Sequence, residues 1–211
     1  MNLNKENGDL AHSSLLKLSV KLDVESLARR VLDTEKFRIC SGSGIPGQHH
    51  YGNYGLIIHT WEVAQCCLTN SSLLSRDVNQ QELFLAALFH DYGKIYDYSV
   101  GTSPSPDVNQ FEAYDLMQSE IGDIWKKTKH NRRVHHISRS AIFWEQSCDV
   151  CEVAGDSDLR SNVLHAILSH HGQRDWGSPV APDTQVAWLL HLCDGLSARL
   201  ADCDTWDRIK K

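Results

Sequence analysis

Several histidines and aspartates stand where the surrounding sequence is otherwise apolar. In "ALFHDYGKI" (87–95), His90 and Asp91 are neighbours at the end of an apolar run, and Lys94 follows three residues later. His59 comes straight after "GLII", His136 lies in "RVHHISRS", and His170 and His171 end "VLHAILSHH". Asp194 sits in "VAWLLHLCDGLSARL", sharing a helical face with Ala187, Leu190, Ala198 and Ala201. An ionised carboxylate on such a face costs several kcal/mol unless something pairs with it. One divalent cation can partner several such groups at once. Mixed imidazole and carboxylate donors suit Mn, Fe, Co, Ni or Zn better than Mg or Ca.

The elements that must position these residues read as helices. Apolar residues recur at helical spacing over 13–33, where Ser13 or Ser14 can cap, and again over 56–70 and 79–95, the last with Asn79 as a cap. Further helices are expected over 136–147, 158–171 and 184–203, the last started by Asp183 or Thr184 behind Pro182. "CSGSGIPGQHHYGNYG" (40–55) is a loop, and 96–110 is turn-rich. "FEAYDLMQSEIGDIW" (111–125) has helical spacing, and the basic "KKTKHNRR" after it reads as a solvated loop. No strand pair is expected, so the class is all-α, a helical bundle over 13–211 with residues 1–12 loose.

Composition narrows the function. A chain of 211 residues can bury a full core as one domain without disulfides or a structural metal. Its 21 Lys and Arg against 27 Asp and Glu argue against coating long nucleic acid by charge alone. The 7 cysteines are scattered, several in apolar helical stretches, which points to buried thiols in a reducing, cytoplasmic setting. The Cys148–Cys151 pair has no second pair to complete a metal site. Neither a signal peptide nor a membrane span is apparent. His12, His130, His165 and His191 read as caps or hydrogen-bonded core residues.

The order His59, His90-Asp91, His136, His170, Asp194 resembles the HD superfamily of metal-dependent phosphohydrolases, with its H…HD…D signature, over roughly residues 45–205. "HHYGNYGLIIHT", "HDYGK", "HAILSHHGQRDWGSPV" and "LLHLCDGLSARL" are most similar to bacterial 3′-to-5′ exoribonucleases that carry an HD domain behind an OB-fold. Similar segments occur in the HD domain of some conjugative relaxase-type proteins. The sequence departs from these relatives in lacking an OB-fold and in a longer stretch, 96–134, between the HD pair and the next histidine.

The resemblance implies a helical HD domain with a metal site at its centre. His59, His90, Asp91 and Asp194 would hold one cation, and Asp91 would bridge to a second completed by His136 and by His170 or His171. Of that last pair His170 is favoured as ligand, leaving His171 to face substrate. Asp91, Lys94 and His171 are then the catalytic set, with Lys94 neutralising a phosphate oxygen. Arg174 and Ser178 are candidates for a phosphate or sugar contact, Trp176 for stacking a base, and His49 and His50 for substrate binding. The implied reaction is metal-dependent cleavage of a phosphodiester in short RNA or single-stranded DNA, through a metal-bound hydroxide. The alternatives are a nucleotidase or nucleoside triphosphate hydrolase, and a non-catalytic regulatory domain.

Overall fold

The computed structural model describes residues 2–74, 77–101, 124–153, 155 and 157–209, with 203–209 described by their backbone. Helix α1 spans Lys5–Lys21 and begins at Asn4, whose side chain accepts a hydrogen bond from the Asn7 N–H. Residues 5–12, expected to be loose, are therefore helical, and Ser13 and Ser14 lie inside the helix instead of capping it. The expected single helix over 13–33 is broken at Asp23, whose φ of 56° no helix accommodates. Helix α2 (Glu25–Leu32) resumes after the break, and a short α3 (Glu35–Ile39) follows.

Helix α4 (Gly55–Leu73) and helix α5 (Gln80–Phe89) form the centre. Every residue of α5 from Leu83 to Phe89 has no exposure, which explains why its sequence is apolar all round. Asn79 caps α5 as expected, accepting from the Gln81 and Glu82 N–H groups. The helix stops at Phe89, short of the expected residue 95. The chain turns through His90–Gly93, with Tyr92 N–H on Phe89 O and Lys94 N–H on Asp91 O, before a one-turn α6 (Lys94–Asp97).

A strand pair was not expected, but β1 (Tyr98–Gly101) pairs antiparallel with β2 (Ile124–Lys127), placing Tyr98 opposite Lys127. Ile124 and Trp125, read as helical, are strand residues; the rest of that predicted helix, 111–123, lies outside the described residues. The basic run is likewise structured: Lys126 and Lys127 belong to β2, and Thr128 caps a short α7 (Lys129–Arg133). Helices α8 (His136–Val150), α9 (Asp158–Ser169) and α10 (Gln185–Ile209) complete the bundle. Ser157 caps α9, and the Thr184 hydroxyl accepts from the Ala187 N–H at the start of α10. Trp144, fully buried, ties α8 to α9 by donating from Nε1 to the Arg160 carbonyl, 3.0 Å away, and meets Phe89 of α5 edge-on. The two-stranded ribbon aside, the described chain is a helical bundle. No helix among the described residues is long and apolar enough to cross a membrane.

Candidate metal centre

The turn that ends α5 puts His90 and Asp91 at the middle of the bundle, where α4, α8, α9 and α10 each add a residue. His59 Nε2 on α4 lies 3.0 Å from Asp194 Oδ1 on α10 and 3.4 Å from Asp91 Oδ2. His90 Nε2 is 3.3 Å from the same Asp91 oxygen and 3.8 Å from Asp194 Oδ1. The other Asp91 oxygen faces a second group. Oδ1 lies 3.4 Å from His136 Nε2, at the start of α8, and 3.8 Å from His170 Nε2, just past α9. The donor atoms of His59, His90, Asp91 and Asp194 lie within 4.8 Å of one another, as do those of His136, His170 and His171, and both sets can hold a metal ion.

Whether a cation suits this arrangement can be tested on the atoms left bare. Nε2 of His59, His90, His136 and His170 and Oδ1 of Asp91 are all buried without a hydrogen-bond partner. Buried polar atoms are rarely left so. Their convergence is what a divalent cation would satisfy, and the opposite nitrogen of each ring fixes the orientation. His90 Nδ1 donates to Ala87 O and His170 Nδ1 to Ile167 O, each at 2.7 Å. His59 Nδ1 meets Ser197 Oγ at 3.1 Å, and His136 Nδ1 meets Asp97 Oδ2 at 3.3 Å. With the rings neutral, each Nε2 would present a lone pair to a cation at the centre.

Electrostatics favour the same protonation states on the second side. Burial pushes His136 down to about 4 and His170 well below its ordinary value, so both are neutral at neutral pH. Burial would raise the carboxyls of Asp91 and Asp194, but the neighbouring cation and imidazoles win and both are held low: Lys94 and His90 act on Asp91, and His59 on Asp194. Burial disfavours a charged His59, yet its contacts with Asp194 and Asp91 raise it to about 9. Lys94, buried beside the cluster, places Nζ 2.7 Å from Asp91 Oδ2.

Two supporting groups were not recognised from the sequence. Asp97 is fully buried and receives His130 Nδ1 (2.6 Å), Asn131 Nδ2 (3.0 Å), and the backbone and ring nitrogens of His136 (3.1 and 3.3 Å). It ties the basic run to a candidate ligand. Glu62, three residues after His59 on α4, accepts at Oε2 from Ser197 Oγ (2.9 Å) and meets His50 Nε2 at 3.0 Å. Through Ser197 it supports His59. A signal was present in the spacing, since residues three apart share a helix face.

The remaining sequence candidates are distributed around this core. His50 is buried with its Nε2 engaged by Glu62, which also accepts from Ser197 behind His59. His49 is half-buried, its ring centroid 5.8 Å from that of His59. Both hold donor atoms within 4.8 Å of His59, a third group able to hold a metal. His171 is half-buried and donates from Nδ1 to the Trp176 carbonyl at 2.7 Å. Ser178 is buried, and its hydroxyl accepts from the His171 N–H at 3.0 Å, which locks the loop after α9. Arg174 and Trp176 form an exposed 3-10 turn, with Trp176 59% exposed. The four histidines expected to be ordinary are all hydrogen-bonded: His12 to Leu32 O, His165 to Asp183 N–H, His191 to His170 O and His130 to Asp97. Two of them, His130 and His191, brace the centre. Cys148 and Cys151 are free thiols.

No solved structure matches the chain. The HD domain family matches residues 56–199, a span that takes in each candidate ligand from His59 to Asp194 and more than half of the chain. The chain belongs to the HD domain family, whose members are in general metal-dependent hydrolases.

Proposed function

We propose that this protein hydrolyses phosphodiester bonds, acting as a 3′-to-5′ exonuclease or phosphodiesterase on short RNA or single-stranded DNA. The observation that carries the reading is the two-sided Asp91, with His59 and His90, which also meet Asp194, around one oxygen and His136 and His170 around the other. That arrangement fits two transition-metal ions, of the Mn, Fe, Co, Ni or Zn kind, sharing one carboxylate. Cations held by these residues would supply Lewis acidity and a water acidic enough to act as nucleophile at neutral pH. The net reaction adds water across a P–O bond, giving a phosphomonoester and an alcohol.

The protein's own side chains do the rest. Lys94 places a fixed positive charge beside Asp91, where a phosphate oxygen gathers charge in the transition state. Burial of His59, His90, Asp91, His136 and His170 lowers the local dielectric, which strengthens each of these interactions. His171, half-buried beside His136 and His170, stands on the substrate side with Nε2 unengaged by its Trp176 contact. Trp176 offers an exposed indole just beyond it for a nucleobase to stack on. The similarity of the motifs to HD-type exoribonucleases and to relaxase-type HD domains supports a nucleic-acid diester as substrate. Free thiols on the described cysteines suit a cytoplasmic setting.

A second reading, a nucleotidase or nucleoside triphosphate hydrolase, draws support from the net charge of −6, which does not favour a long polyanion. A labelled oligonucleotide tested against free mononucleotides separates the two. Stepwise release of mononucleotides from the 3′ end supports the diester reading, and hydrolysis confined to free nucleotides replaces it with the second.

A further inference from the structure

His135 has a backbone that a histidine rarely adopts, with φ 68° and ψ 148°. That conformation borders a region essentially reserved for glycine, and side chains are held there only where the surroundings impose it. The surroundings here are well defined. The His135 N–H donates to His130 O at 3.2 Å, its carbonyl accepts from Arg139 N–H at 3.2 Å, and α8 begins at the next residue.

The strained backbone sets the half-buried His135 ring over His136, with centroids 4.1 Å apart, and edge-on to His171 at 6.0 Å. Gly177 closes the far side: a Cβ at that position would meet His171 Nδ1 at 3.6 Å and His135 Cε1 at 3.7 Å. The imidazoles that surround this side of the centre differ in what they can still offer. His136, His170 and His171 each commit Nδ1 to a protein oxygen, namely Asp97 Oδ2, Ile167 O and Trp176 O. A neutral imidazole has one N–H, so in their neutral form those rings present only a lone pair at Nε2. No hydrogen bond engages either ring nitrogen of His135 among the described residues. It is the imidazole there with an N–H left to give.

We propose that His135 is a substrate-contacting residue, donating its ring N–H to a non-bridging oxygen of the substrate phosphate held over His136 and His171. The inference rests on the phosphohydrolase reading above and adds to it a donor beside His136 and His171, distinct from Lys94. It also explains the strain. A glycine would relieve the backbone at this position, and the histidine is kept for the contact it makes.

The test compares wild type with His135→Gly and His135→Asn in Mn-loaded protein. Glycine removes ring and strain together; asparagine tolerates positive φ and keeps an N–H donor. For His135→Gly the expected results are an unchanged metal content, an equal or higher melting temperature, and a fall of about tenfold in kcat/KM on bis-p-nitrophenyl phosphate, the worth of one hydrogen bond to a charged group. His135→Asn recovers part of that loss. Inorganic phosphate, titrated calorimetrically, binds His135→Gly several-fold more weakly than wild type, and this readout does not need turnover. A wild type that cleaves no phosphoester overturns the parent reading, while the phosphate titration still decides the role of His135. Phosphate affinity unchanged in His135→Gly overturns the proposal. So does a lowered melting temperature with lost metal, which would make His135 a structural residue.

Discussion

Asp91 Oδ2 lies within 3.4 Å of His59, His90 and Lys94, while Oδ1 turns toward His136 and His170. No neighbouring side chain can replace that double role. Replacing Asp91 by alanine is expected to abolish turnover and lower metal content in a chain that still folds; unchanged turnover would defeat the two-cation arrangement. His59 yields a pH dependence. Its contacts with Asp194 and Asp91 raise it from the ordinary 6.5 to about 9, against the effect of burial. The stability contributed by the protonated ring is therefore fully present below 6.5 and is lost as pH rises through about 9. Cation binding requires the neutral ring, so metal uptake releases a proton and strengthens over the same window. Chelator-treated protein should lose melting temperature from about pH 6.5 to 9, and a flat profile there would show that His59 is not protonated in the metal-free state. Asp97 acts one step back, through His136. Its replacement by asparagine should weaken metal binding by roughly 10- to 100-fold, the usual effect of removing a carboxylate behind a ligating histidine, as measured by metal titration.

At the scale of elements, the close packing of α8 onto the turn after α5 holds the second half of the centre together. A Cβ at Gly93 would collide with the His136 backbone, and the Gly93 N–H is already spent on Ser140 Oγ at 2.9 Å. Gly93→Ala must push the start of α8 away, at about 1–3 kcal/mol for overpacking. It should lower the melting temperature and displace His136, reducing metal content; a variant with native stability and full metal would mean that α8 can shift without disturbing the centre. The same turn marks the limit of periodicity in the sequence. The apolar pattern continues through Ile95, so 79–95 reads as one helix, but the chain leaves it at Phe89 to aim Asp91 both ways. Asp23 breaks the first predicted helix for a similar reason, since a single residue of positive φ leaves no trace in hydrophobic spacing. Strands β1 and β2 were missed because four residues are too few for an alternating pattern to stand out.

For the whole molecule, the bundle is legible wherever a helix is long and its neighbours apolar, as in α4, α5 and α10. The convergence of candidate ligands is legible because polar residues in apolar stretches demand a partner, and His59, His90, Asp91, His136, His170 and Asp194 do meet at one centre. Asp97, Glu62 and Ser197 escaped notice because a single polar residue near a helix end or on an amphipathic face looks solvated until its partners are known. His50, expected to bind substrate, has its Nε2 engaged by Glu62, a contact that hydrophobic spacing could not foretell. Transition metal on the bare, converging donors is what would join these helices into one centre. The most direct measurement is the metal content of the purified protein by inductively coupled plasma mass spectrometry. About two transition-metal ions per chain are predicted, one on each side of Asp91. Folded protein that takes up no transition metal, even after incubation with Mn, Fe or Zn, would contradict it.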